Sequence, residues 1–90
     1  MSPRSLTLHP DVSLAETDDG AVLLHQRTGR YWQLNPTGVL VLKQLLDGRT
    51  HDQAAQELTA RHRAAPDAAH RDVSRLVDEL RTARILVESR

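Results

Sequence analysis

Residues 27–38 read RTGRYWQLNPTG. They hold the chain's only Tyr and only Trp, side by side as Tyr31 and Trp32, in a protein that has no Phe. The pattern of the chain also changes here: apolar residues alternate as in strands up to Leu34, and from Asn35 they recur with the period of a helix. Asn35 is a favoured N-cap, and Pro36 suits the first helical position, where a missing N–H loses nothing. Neighbouring residues of a strand point to opposite faces, so Tyr31 and Trp32 serve different surfaces.

Working back from this stretch, residues 12–34 read as a three-stranded antiparallel meander. Its apolar pairs are Val12 and Leu14, Val22 and Leu24, then Trp32 and Leu34, with Asp19-Gly20 and Thr28-Gly29 as turn signals. A three-residue loop of Arg27, Thr28 and Gly29, with Gly29 in the left-handed bulge position, pairs Leu24 with Trp32 and Val22 with Leu34 on one face. A two-residue loop sets Leu24 opposite Gln33 instead. The apolar pattern favours the three-residue loop, because a slip of one residue divides that set between faces. Residues 1–10 are less patterned: they suit a flexible arm, or Leu6 and Leu8 extend the first strand or pack beside it.

Working forward, the first helix runs through Val39, Leu42, Leu45 and Leu46 and stops near Gly48. Thr50 and Gln53 form a capping box for a second helix with Ala54, Ala55 and Leu58 on its inner face. The stretch Ala64-Ala65-Pro66-Asp67 breaks it, and Asp67 is a candidate cap for a third helix along Ala69, Val73, Leu76, Val77, Leu80 and Ala83. Ile85, Leu86 and Val87 suit either a last packed turn or a short strand. The expected fold is α+β and winged helix-turn-helix-like, a three-stranded antiparallel sheet followed by three helices in one domain spanning residues 1–90.

Composition narrows the function. Ninety residues, 39% of them hydrophobic, make a small core with little room for an enclosed substrate pocket. Twelve basic residues balance twelve acidic ones, so no net charge gathers polyanions. Without Cys there is neither a disulfide nor a thiolate metal site. With no signal-peptide pattern and no apolar run of membrane-spanning length, the chain reads as cytoplasmic and free of membrane.

Catalysis finds no support in the motifs. The five histidines show no i,i+4 metal-ligand pair and read as solvated or half-buried surface residues. No nucleophile elbow surrounds a serine, and the glycines are spread as turn and cap residues, not gathered in a phosphate loop. Asp78 and Glu79 read as part of a surface ion-pair network with Arg75 and Arg81. No enzyme activity, metal or cofactor is expected. The rival from another class is a winged-helix DNA-binding regulator, for which the third helix offers Arg71, Arg75, Arg81 and Arg84. Interleaved Asp67, Asp72, Asp78 and Glu79 argue against it, because they offset the counterion release that drives binding to phosphates.

The stretches LLHQRTGRYWQLNPTGVLVLKQLLDGRTHDQAAQEL (23–58) and DVSRLVDELRTARIL (72–86) resemble the PqqD family, above all the small standalone PqqD-like proteins of lasso peptide biosynthesis. The likeness spans about residues 12–87 and lies in order and spacing: the strand-turn-strand with Gly29, the aromatic pair, Leu34-Asn35 before Pro36 and Gly38, the Leu-rich helix to Asp47-Gly48, and Thr50 opening the next helix. The resemblance implies a catalytically inert element that binds the leader of a ribosomally made precursor peptide. The leader adds beside the third strand and packs against the third helix. Partners implied with it are a separate leader peptidase, a transglutaminase-like cysteine protease, and an asparagine-synthetase-like cyclase; nucleic acid is not among them. Carried onto this sequence, the peptide-binding positions are Arg30, Tyr31, Trp32, Gln33 and Leu34 on the strand, with Val73, Leu76, Val77 and Leu80 on the helix. Which helix residues face the leader and which the core is open in the sequence.

One feature of the residues favours the same mechanism independently. The third strand of a meander is an edge, and between Tyr31 and Leu34 it carries neither Pro nor Lys to discourage pairing. Strand addition supplies partners for its free main-chain groups, whereas the bland alternative leaves the edge solvated and the two aromatics as packing.

Overall fold

A left-handed glycine closes the hairpin that carries the aromatic pair. In the computed structural model, which describes residues 5–89, Gly29 has φ +75°. Its N–H donates to the His25 carbonyl at 2.8 Å, and the His25 N–H donates to the Arg30 carbonyl at 2.8 Å. The loop is therefore residues 26–29, one longer than the spacing predicts. The strands β1 (Ser5–Leu8), β2 (Val12–Thr17), β3 (Gly20–His25) and β4 (Tyr31–Leu34) precede three helices, α1 (Pro36–Leu46), α2 (His51–His62) and α3 (Pro66–Thr82), and a last strand, β5 (Leu86–Ser89).

The longer loop changes the register. Leu23 faces Trp32 and Ala21 faces Leu34, while Leu24 lies opposite Tyr31 and Val22 opposite Gln33. The expected pairing of Leu24 with Trp32 and of Val22 with Leu34 is thus corrected by one residue. Residues 21–24 are all apolar, so hydrophobicity alone favours neither set. The neighbouring strand decides: β2 sets Val12 opposite His25 and Leu14 opposite Leu23, which aligns its apolar face with Ala21, Leu23 and His25. Accordingly Leu23 is fully buried, whereas Leu24 is 39% exposed. His25 is drawn inside with them, against its reading as a surface histidine, and its ring lies 5.0 Å from that of His9.

The β2-β3-β4 meander is antiparallel, and β1 pairs with β5 in a second, two-stranded sheet. Of the alternatives for residues 85–87, the strand is the one realised. Leu6 and Leu8 belong to β1 and pack beside the meander's core; of the first ten residues, 1–4 lie outside those described. The His9 N–H donates to the Ile85 carbonyl at 2.8 Å, joining the turn after β1 to the start of β5.

The helix starts follow local chemistry. Asn35 Oδ1 accepts from the Gly38 N–H at 2.8 Å, and Pro36 begins α1. Thr50 and Gln53 exchange both bonds of a capping box, at 3.1 and 2.9 Å. Helix α3 departs from expectation, because its cap position is Ala65, with no side-chain bond, and Pro66 opens it. A residue before proline is held extended, and proline is preorganised for the first helical turn. That sets the start one residue ahead of Asp67, whose carboxylate instead lies in the first turn, where the helix dipole favours it.

The core has two parts. Val41, Leu45, Leu58, Val73 and Val77 interlock the helices, and Ala54, Ala55 and Ala69 allow α2 and α3 to approach closely. Leu23, Leu34, Leu42, Leu80, Ile85 and Leu86 join the sheets to α1 and α3. Leu76 and Leu6 pack against both.

Two glycines separate crowding from backbone strain. A Cβ on Gly20 (φ +143°) would lie 1.8 Å from the Leu34 carbonyl oxygen, whereas one on Gly29 would meet nothing within 4 Å. Gly29→Ala is expected to cost about 1 kcal/mol through its left-handed backbone alone. Gly20→Ala is expected to cost at least about 3 kcal/mol, because a main-chain atom must move and β4 with it. Urea denaturation of both variants checks this, and equal midpoints would remove the proposed close approach.

Candidate functional site

The register determines which groups of β4 are free. Because Arg30 accepts from His25, the antiparallel alternation turns the main-chain groups of Arg30, Trp32 and Leu34 toward β3 and those of Tyr31 and Gln33 outward. The sheet ends at β4, so the N–H and C=O of Tyr31 and Gln33 face away from any strand among the described residues. This parity is the one the shorter loop also implies, since both loops make Arg30 the closing residue.

The side chains alternate at right angles to those groups. Arg30, Trp32 and Leu34 lie on the helix side of the sheet, and there β4 stands off from α3, leaving a groove. At its Leu34 end the groove has a volume of about 420 Å³. Leu34, Val41, Leu58 and Leu80, each less than a tenth exposed, make its floor, and Leu76 and Trp32 border it. The first turn of α1 closes this end with Asn35, Thr37 and Gly38. At the Arg30 end a second hollow of about 400 Å³ lies between Arg30 and Trp32 on one side and Asp78, Glu79, Thr82 and Ala83 on the other. Trp32 and Glu79 border both hollows.

The polar wall is unevenly paired. Arg75 reaches Asp72 at 3.6 Å and Arg81 reaches Glu88 on β5 at 3.0 Å. The expected network of Asp78 and Glu79 with those two arginines therefore does not form. Neither acid has an ion pair among the described residues, because Arg75 takes its i−3 partner and Arg81 a strand partner absent from any helical-spacing argument.

Of the residues singled out from sequence, Arg30, Trp32, Gln33, Leu34, Leu76 and Leu80 border the groove together. Tyr31 lies on the other face of the sheet, 65% exposed and opposite Leu24. Val73 and Val77, 1% and 2% exposed, are in the helical core and do not line the groove. The apolar stripe of α3 is wide enough to serve two surfaces: Val73, Val77 and Leu80 follow one i, i+4, i+7 line, and Asp72, Leu76 and Glu79 follow the next. Of that second line the sequence assigns Leu76 to the peptide site, whereas Asp72 and Glu79 read there only as acids interleaved with the arginines. Asn35 and Gly38 read from the sequence as cap, turn and signature positions, and Thr37 carries no reading there; the structure sets all three at the groove. The described residues contain no group of three or more His, Cys, Asp or Glu that could hold a metal, and no helix among them is long and apolar enough to cross a membrane.

The division of α3 is testable. Val77→Glu buries a carboxylate among hydrocarbon and is expected to cost more than about 4 kcal/mol, whereas Leu76→Ser, at the half-buried border, should cost about 1–2 kcal/mol. Thermal melts followed by circular dichroism compare the two, and a Val77→Glu protein as stable as Leu76→Ser would place Val77 outside the core.

Comparison with known proteins adds three findings. The family model for coenzyme PQQ synthesis protein D (PqqD) matches residues 20–86. The structure of lasso peptide synthetase B1 complexed with the leader peptide superposes with a TM-score of 0.85 at 40% sequence identity, covering 92% of this chain and 98% of that one. TbiB1 in complex with the TbiA(beta) leader peptide superposes with a TM-score of 0.78 at 25% identity, covering 89% and 93%. No curated protein matches the sequence significantly.

Proposed function

The chain belongs to the PqqD family, and from that premise we propose that it binds the leader segment of a ribosomally made precursor peptide of the lasso type. The leader adds as a strand to the edge of β4 and seats alternate side chains in the groove before α3. The observation that carries this reading is the coincidence of the two features: the outward N–H and C=O groups of Tyr31 and Gln33 run alongside an apolar-floored groove. Main-chain bonds then supply affinity, about 0.5–1.5 kcal/mol each, and the groove supplies choice of side chain. Both superposed proteins are leader-peptide complexes, and their likeness to nearly the whole of this chain supports the same role here.

Within this reading the chain supplies binding and positioning, and separate enzymes supply the chemistry. A transglutaminase-like cysteine peptidase removes the leader, and an asparagine-synthetase-like cyclase closes the ring, both in the cytoplasm. Arg30, Trp32, Gln33, Leu34, Leu76 and Leu80 are the residues proposed to meet the leader. Tyr31, the cross-strand partner of Leu24, stiffens the hairpin and contributes its main-chain groups. Duplex DNA fits the surface less well. The formal net charge is zero, and two of the arginines that α3 would offer to phosphates are already paired with acids.

A proline at position 33 tests the mechanism directly. The Gln33 N–H faces away from β3, and Trp32 before it is already extended, so Gln33→Pro keeps the fold while it removes one donor and crowds an incoming strand. Leader affinity is expected to fall at least about tenfold, or 1.4 kcal/mol, and to stay within about threefold of wild type for Gln33→Ala. Fluorescence titration of Trp32 with a synthetic leader measures both. A folded Gln33→Pro protein that binds as wild type does would rule out addition at this edge.

Salt separates the peptide reading from the nucleic-acid one. Leader affinity should change less than about threefold between 50 and 200 mM salt, whereas a protein making six or more phosphate contacts loses about a thousandfold. Tight duplex binding with a steep salt slope would overturn the peptide reading.

A further inference from the structure

We infer that Glu79 selects the bound strand by charge: the leader places a lysine or arginine over Glu79, two residues after an apolar side chain that fills the space beside Leu76. This rests on strand addition at β4 and goes beyond it, since addition alone asks nothing of the leader's charges.

The geometry gives the order of the two residues. Across the groove, Leu34 faces the Asp72–Leu76 part of α3, and Arg30 faces the Asp78–Ala83 part, so α3 runs opposite to β4. A strand added antiparallel, as are all the pairs in both sheets, also runs opposite to β4 and therefore alongside α3 in the same direction. Its earlier groove-facing residue meets Leu76 and the apolar floor. Its later one meets Glu79.

Spacing gives the interval. Alternate residues of a strand are about 6.8 Å apart, and Leu76 to Glu79 advances about 4.5 Å along a helix, Leu76 to Leu80 about 6 Å. An interval of two therefore carries the strand from Leu76 to between the levels of Glu79 and Arg81, within reach of the Glu79 side chain, and an interval of four, about 13.6 Å, carries it past the end of α3.

Charge gives the identity. The Arg30 end of the groove holds two carboxylates, Asp78 and Glu79, against one guanidinium, Arg30, and none of the three has an ion pair among the described residues. An exposed acid on a helix is ordinary by itself. Glu79 differs because it borders both hollows beside Trp32, so a side chain leaving the apolar end must pass it. A lysine or arginine suits that position in each of its parts. Its stem lies along the Trp32 border, its cation gains from an aromatic ring, and its head reaches the carboxylate.

The test is selection of a phage-displayed library of random 15-residue peptides on immobilised wild-type, Glu79→Lys and Gln33→Pro proteins, each first shown to be folded by circular dichroism. Wild type is expected to enrich an apolar residue followed two positions later by Lys or Arg, and Glu79→Lys to replace that basic residue with Asp or Glu while keeping the apolar one. A synthetic wild-type winner with its basic residue changed to Glu should bind wild type about fivefold more weakly and bind Glu79→Lys more tightly. Enrichment that Gln33→Pro abolishes but that shows the same charge preference on wild type and Glu79→Lys overturns the role of Glu79 and leaves strand addition standing. Enrichment equally strong on Gln33→Pro, or none on wild type, overturns strand addition and this inference together.

Discussion

The pairing of Leu23 with Trp32 across β3 and β4 is the constraint on which the rest of the molecule depends. It turns Trp32 and Leu34 toward the helices, gives the sheet its buried face, and thereby fixes the outward direction of the Tyr31 and Gln33 main-chain groups. The neighbouring pair, Ala21 with Leu34, brings Gly20 so near the end of β4 that only a hydrogen fits there. The lower face of the groove, the free edge and the start of α1 are all set within a few residues of these two pairs. Displacement of β4 by one position against β3 would set Tyr31 opposite Leu23 on the inner face and turn Trp32 and Leu34 toward water.

An unfilled edge and an apolar trough side by side are ordinarily a hazard. Here the strand is only four residues long, too short to template extended association by itself, and its rim carries charges from α3. The apolar surface is recessed below that rim, so it is reached by single side chains and not by another flat sheet. The arrangement that suits the edge to a single extended peptide is thus also a poor template for a second flat sheet.

Most of the architecture was legible because it depends on local chemistry. Asn35-Pro36 and the Thr50-Gln53 box mark helix starts through their own hydrogen bonds, and the helical spacing of α3 is unambiguous. Sequence reasoning lost resolution where two arrangements are equally apolar. The run at residues 21–24 cannot indicate its own inner face, and the choice rests on β2, a partner distant in sequence from β4. The same degeneracy merged Val73 and Val77 with Leu76 and Leu80 into one stripe, although the first two fill the helical core and the others meet the groove. Helical spacing pairs Asp78 and Glu79 with Arg75 and Arg81, but Arg81 turns to Glu88 on a strand whose existence the sequence leaves open. For the β3 run and for Arg81, a partner on a neighbouring element decided what the spacing within one element could not.

The small sheet bears on how such a module is joined to others. With Ser5 opposite Ser89 in the β1–β5 ladder, the described chain enters and leaves the fold about 5 Å apart, on neighbouring strands. A segment with this layout can be spliced into a surface loop of a larger host without prising the host's flanking residues apart. The splice point lies on the β1–β5 ladder, and β4 belongs to the other sheet. Tethering and peptide capture therefore make no competing demands on the fold, which suits it equally to a free-standing carrier and to an insert within an enzyme.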